Sequence, residues 1–368
     1  MKKTVLTVFL IGLLGTGILP SSERTSEAVN ALSGIFSIPS PTGYEHHMAE
    51  AIRSRLPSHL SVESDNLGSL YIGDGEAGGL AVVCGMDEGG YIVSGITKDG
   101  YLTIDRVASA SHGLYDFYNI GHGVRIITGD GEVTGVLALP SLHIASAETR
   151  QDLESVMSLG RAHIDIGTQS AAEVEEKGVR MLDPVLPMAS LNSLLTGKEL
   201  AGPALSVKAP VSTVLAVCGL TSKRVGQVNT TFGFLAQTKF PARRSRTAAG
   251  MGSVRAAVRL KAARVIVVDV FPCLGEEGET VKAGSGPVLV AADPESELAQ
   301  KVKKRAESLG LSLQTVSRSG SPVLGPFLGK DVDAVGLFIP VRFPETPSEL
   351  IHTGDLDAVY RMLIGLVE

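Results

Sequence analysis

The sequence predicts an α/β domain interrupted by a small antiparallel β module. The continuous apolar run Leu80–Cys84 has the texture of a strand covered on both faces, and Arg264–Val270 reads as a second buried strand. They alternate with amphipathic segments such as Glu295–Leu309, which carry one apolar face at helical spacing. Between Gly90 and about Val185 the texture changes to short alternating segments separated by Asp99-Gly100 and Gly129-Asp130-Gly131, the pattern of hairpins with tight turns.

The elements follow in chain order. Ser26–Leu60 reads as helix, Pro/Gly break, helix, with Ser37–Gly43 as the loop and Met48, Ile52 and Leu56 on one face of the second helix. Leu60–Ile72 reads as strand, Asn66-Leu67-Gly68 turn, strand. The β module contributes Tyr91–Ile96, Tyr101–Val107, Val124–Thr128 and Glu132–Leu139. A short helix, Ser170–Lys177, opens on a capping box of Ser170 and Glu173. The α/β texture returns at Ala189. Val211–Leu220 is an apolar helix, Thr230–Gln237 a strand, Gly252–Ala263 a helix and Val335–Pro340 a strand. Asp355–Val367 closes the chain, with Leu356, Val359, Tyr360 and Leu363 on one face.

With 368 residues, 44% hydrophobic and 20% charged, the chain has ample material for two domains and is not globally disordered. A net charge of −6 gives no case for nucleic-acid or membrane-surface binding. Lys2 and Lys3 precede an apolar stretch from Val5 to Leu19, followed by polar Ser21–Arg24. That order is the basic and apolar regions of an export signal, too short for a membrane span; a buried N-terminal helix is the alternative. Cys84, Cys218 and Cys273 show no zinc-finger or CxxC spacing.

Several short stretches, in order over most of the chain, carry a resemblance. They are Pro39–Glu45 (PSPTGYE), Asp65-Asn66-Leu67-Gly68, Met86-Asp87-Glu88 followed by Gly90, His163–Gly167 with Asp183-Pro184, Val268-Asp269-Val270, and Pro340-Val341-Arg342-Phe343. The chain resembles the tetrahedral aminopeptidases, the glutamyl-aminopeptidase-like di-zinc metallopeptidases. The resemblance implies a three-layer α/β/α exopeptidase-like domain with a mixed sheet, and a small β-barrel-like domain inserted in it. The implied division is an export segment over 1–25, the peptidase-like domain over 26–89 and 188–368, and the inserted domain over 90–187. It also implies a homo-oligomer assembled through the inserted domain.

Catalysis in that family is implied to need two metal ions that clamp water and substrate, a bridging carboxylate and a Glu to take the proton. Carried over residue by residue, most of these groups are gone. The first His falls at Gly85. The Asp that orients it is retained as Asp87. The bridging Asp falls at Ser206, and the basic residue after it at Lys208. The Glu pair falls near Thr238-Lys239, and between Ala201 and Val268 there is no Asp or Glu at all. The ligand Asp is retained as Asp269, and Glu345 stands at the final His.

The resemblance therefore implies an inactive homologue, a pseudoenzyme with no cofactor, which holds a peptide or small anionic ligand in the old cleft. Lys208, Arg243, Arg244 and Arg246 are the anion-binding candidates, drawn from a basic region that also contains Lys239. The alternative is a hydrolase with one divalent ion on Asp269 and Glu345, an oxygen set that favours Mg, Ca or Mn. A conventional aminopeptidase is the third reading. Cys84 and Cys273 each follow a central strand; a disulfide between them and two buried thiols are both open. The expected address is periplasmic or secreted, with no membrane span in the mature chain.

Overall fold

The computed structural model describes residues 26–73, 78–108, 114–140, 146–148, 159–221, 229–241, 249–273, 280–328 and 331–367. The expected export segment and Arg243, Arg244 and Arg246 lie outside the described residues.

In chain order the first half contains α1 (Glu27–Ile35), α2 (His46–Arg55), β1 (Val62–Ser64), β2 (Leu70–Ile72), β3 (Leu80–Gly85), β4 (Tyr91–Ile96), β5 (Leu102–Arg106), α3 (Tyr115–Asn119), β6 (Gly123–Thr128), β7 (Gly131–Ala138), β8 (His163–Asp165), α4 (Ala171–Glu176) and β9 (Pro184–Pro187). The second half contains β10 (Asn192–Ser193), β11 (Glu199–Gly202), α5 (Leu205–Thr221), β12 (Thr230–Leu235), α6 (Met251–Arg259), β13 (Arg264–Pro272), β14 (Val288–Val290), α7 (Glu297–Ser308), β15 (Gln314–Val316), β16 (Asp333–Arg342), β17 (Glu349–His352) and α8 (Thr353–Val367).

The large mixed sheet runs β1-β2-β12-β3-β13-β16-β17-β11-β10, with β14 on β16 and β15 beyond it. Its centre, β12, β3, β13 and β16, is parallel. Alternation along β3 divides the core. Leu80, Val82 and Cys84 join the cluster under α1, α2, α5, α7 and α8. Ala81 and Val83 point the other way, toward Ala256 of α6, Phe327 and Phe338. Helices on both faces of a mixed sheet give the three layers expected. Helix α5 is apolar on nearly every side and buried, as suits a helix between sheet and outer helices. Helix α1 starts where Ser26 accepts from the Val29 N–H and buries Ala28, Leu32 and Ile35, one face at three- and four-residue spacing.

Strands β4-β5-β8-β7-β6-β9 close into a barrel around Tyr91, Val93, Ile104, Ile126, Leu137 and Ile164. The chain leaves the sheet after β3 and re-enters it through β10 and β11. The Arg125 guanidinium in β6 donates to Ser37 O at 2.6 Å, tying barrel to sheet domain. Capping of α4 follows the sequence in part. Ser170 accepts from Glu173 N, but the Glu173 carboxylate accepts from Gln169 N instead of Ser170 N.

Candidate functional site

A cleft of about 650 Å³ opens at the carboxyl ends of the parallel strands, where ligand sites of open α/β sheets form. The end of β3 brings Gly85 and the turn after it Asp87, the loop after β12 brings Thr238 and Lys239, β13 brings Asp269, and the turn after β16 brings Glu345. Ser206, at the start of α5, faces the same space. Every retained or degenerate ligand position named from the sequence is therefore gathered here. Val270, Phe271, Pro272, Pro322 and Val323 form an apolar wall, and Arg318 stands at its edge.

Two glycines seat the β12 loop. A Cβ on Gly250 would lie 1.8 Å from Thr238 O, and one on Gly252 would lie 1.7 Å from Ala236 O. Only glycine lets the start of α6 approach that backbone. Glu45 completes the clamp, its Oε1 accepting from Gln237 N at 2.8 Å and Gly43 N at 2.9 Å. Gln237 is thereby held at φ 52°. Ala204, Phe343 and Glu345 also have positive φ, at 55°, 54° and 60°. Backbone strain thus clusters in the segments that shape the cleft.

Positions 85 and 238 are coupled. A Cβ added to Gly85 would meet Thr238 Oγ1 at 2.7 Å. The threonine fills the space into which a side chain at 85 would grow. Asp87 is turned to the same loop. Its Oδ1 accepts from Thr238 N at 2.8 Å and Thr238 Oγ1 at 2.5 Å, and its Oδ2 from Lys239 N at 2.9 Å and Thr42 Oγ1 at 2.9 Å. Four donors occupy the lone pairs of a carboxylate that is 1% exposed.

Lys239 reaches into the acids. Its Nζ lies 3.9 Å from Glu345 Oε1. Burial alone pushes the Lys239 pKa down, but Glu345, Asp87, Glu349 and Asp269 together outweigh it and hold the ammonium above its usual range. Glu349 is 2% exposed. Its carboxylate accepts from Ser206 N at 2.5 Å, Ser206 Oγ at 3.0 Å and Glu345 N at 2.7 Å. Burial raises its pKa to about 7 against those hydrogen bonds and Lys239. Burial, then the Asp87 charge, raises Glu45 to about 7 as well. Asp269 accepts from Ser321 Oγ at 2.5 Å and from Val270 N at 2.9 Å, and burial pushes its pKa up.

Lys208, expected to meet an outside anion, is instead 1% exposed. Its Nζ donates to Ile38 O at 2.6 Å, Ser40 Oγ at 2.8 Å and Glu88 Oε1 at 3.0 Å. All three ammonium donors are used inside the fold. Cys84 and Cys273 fall in apolar clusters on opposite faces of the sheet, which leaves no path to a disulfide between them. Glu45, Glu88, Glu349, Thr42 and Ser321 escaped sequence reasoning. Glu45 and Glu88 lay within quoted motifs but carried no sign of burial. Glu349 follows Glu345 by four residues, a spacing that gains meaning only once the turn folds the two together.

Among the described residues no group of three or more His, Cys, Asp or Glu is arranged to hold a metal ion. Among the described residues the two-zinc donor set is not reproduced. Position 85 has no side chain, Ser206 is turned to Glu349, and the β12 loop presents a hydroxyl and an ammonium.

The family model described as M42 glutamyl aminopeptidase matches residues 68–362. FrvX of Escherichia coli K12 is 26% identical over 352 residues, covering 89% of this chain and 91% of its own. The lysyl aminopeptidase of Pyrococcus furiosus is 24% identical over 363 residues, covering 91% and 95%. Among solved structures, the Pyrococcus horikoshii TET1 peptidase, which can assemble into a tetrahedron or a large octahedral shell, superposes with a TM-score of 0.78 at 23% identity over 92% of this chain and 99% of its own.

Proposed function

The chain belongs to the M42 glutamyl aminopeptidase family, and from that premise we propose that it is a member that binds a peptide-sized ligand in the cleft without hydrolysing it. One observation carries the reading: the β12 loop delivers Thr238 and Lys239 to Asp87, where proton abstraction from a water would need a carboxylate. Thr238 spends its hydroxyl hydrogen on Asp87. An ammonium held charged accepts no proton. The cleft keeps the volume and the apolar wall for a short peptide, and Arg318 at its edge suits a ligand carboxylate.

A one-metal hydrolase is the second reading, favoured by Asp269 and Glu345 lining one cleft. Metal analysis of the purified protein, with an assay on aminoacyl substrates of varied side chain, separates the two. We expect no stoichiometric divalent metal and no turnover above a Gly250→Trp control with a disrupted β12 loop. Metal-dependent turnover would overturn the proposal. The Lys2-Lys3 and Val5–Leu19 pattern supports export, and the shells formed by the TET1 relative support a homo-oligomer. Fractionation of the source cells and light scattering on the purified protein test these two expectations.

A further inference from the structure

Among the described residues the cleft is lined by more acid than base. Of these residues, Asp87, Asp269 and Glu345 line it together with Lys239 and Arg318, and Glu349, bonded to Ser206, adds a fourth acid near the Lys239 ammonium. A cluster of carboxylates with no counter-charge repels itself, and the low dielectric of a half-buried site magnifies the cost. In the fold family that role belongs to metal ions, and the donor set among the described residues does not fit them. We infer that the Lys239 ammonium is a built-in counter-ion that replaces the metal charge of the family site and holds the acidic side chains in place.

Three features carry this beyond mere proximity. The Lys239 N–H is anchored on Asp87 Oδ2, so the residue enters the site from a fixed backbone. Its Nζ stands 3.9 Å from Glu345 Oε1, a long ion pair in which the same charge also acts on Asp87, Glu349 and Asp269. Finally, Thr238, the neighbour of Lys239, fills the space at Gly85. Loss of a side chain at 85 and gain of a cation at 239 are packed as one unit. The inference shares the non-hydrolytic reading of the cleft, but its test reads stability and needs no turnover.

The experiment compares thermal melting of the wild type with Lys239→Arg, Lys239→Met and Lys239→Ala at pH 7. Arginine keeps the charge, and methionine keeps the stem without it. We expect the Met and Ala proteins to melt at least about 5 °C below wild type and the Arg protein to stay within about 2 °C. Propylammonium chloride replaces the atoms deleted in Lys239→Ala and should restore part of the loss. Tetramethylammonium chloride at equal ionic strength should not. Zn²⁺ and Mn²⁺ should leave wild-type melting unchanged. Equal melting of the Met and Arg proteins, or stabilisation of the wild type by either metal, overturns the inference. If Lys239→Ala does not fold, the Arg-against-Met contrast decides. Peptide turnover by the wild type would sink the proposed function and leave the melting contrast standing.

Discussion

Lys208 donates its ammonium to Glu88 and Lys239 its backbone N–H to Asp87, neighbouring acids of one turn, yet the two ammonium groups end in different surroundings. Lys208 is sealed in the interior with all its donors matched one to one. Burial pushes its pKa down while Glu88 pulls it up. Lys239 keeps 22% of its side chain exposed and faces several acids at longer range. The difference separates two uses of a positive charge. A sealed pair is a structural tie, whose loss strands a bare charge. A half-open ammonium sets the field of a cleft and remains near whatever enters it.

The sharpest way to break this contrast is at the sealed pair. Lys208→Ala leaves Glu88 buried without its cation and is expected to cost about 3–5 kcal/mol in urea unfolding. Lys208→Met with Glu88→Gln should recover a large part of that loss. A small cost for Lys208→Ala would mean that the two lysines are energetically alike.

The cleft side predicts a pH dependence. The folded pKa of Glu45 and of Glu349 lies at about 7, above the ordinary 4.5. Each therefore contributes stability that is complete below the unfolded value and is lost as pH rises through 7. At about 1.4 kcal/mol per unit, one such group contributes up to about 3 kcal/mol. Glu45→Gln retains an Oε1 for Gly43 N and Gln237 N and removes the titration. Urea unfolding between pH 5 and 8 should show a flatter profile for this variant than for wild type, and parallel profiles would refute the assignment.

Steric coupling is the next smaller effect. Gly85→Ala places a methyl against Thr238 and should cost about 1–3 kcal/mol. Adding Thr238→Ala should make the pair less costly than the sum of the singles; additivity would show that positions 85 and 238 do not share space. The smallest expected effect is the coupling within the Lys239–Glu345 pair, at or below about 1 kcal/mol in a double-mutant cycle of Lys239→Met and Glu345→Gln, because the pair is long and partly solvated.

Much of the fold was legible in the sequence. The apolar run at Leu80–Cys84, the turns of the inserted module and the amphipathic face of the last helix all carry local periodicity, and each became the element expected. The site was legible as a set of positions: Gly85, Asp87, Ser206, Asp269 and Glu345 meet at one cleft. Their roles were less legible. Lys208 looked like Lys239 in the sequence, because a charge pattern does not reveal depth. The disulfide idea for Cys84 and Cys273 failed for a related reason: following neighbouring strands does not say which face of the sheet a side chain takes.

By itself the sequence determined the alternation of helix and strand, the place of the β module and the absence of any acid between Ala201 and Val268. These are properties of neighbours in the chain, fixed by periodicity and residue chemistry. Only the tertiary structure decided that Thr238 occupies the space at Gly85, that Lys208 is spent on Glu88, and that Lys239 stands among the acids. Those facts depend on depth and on contacts between residues far apart in the chain. Burial and Coulomb energies follow distance through space.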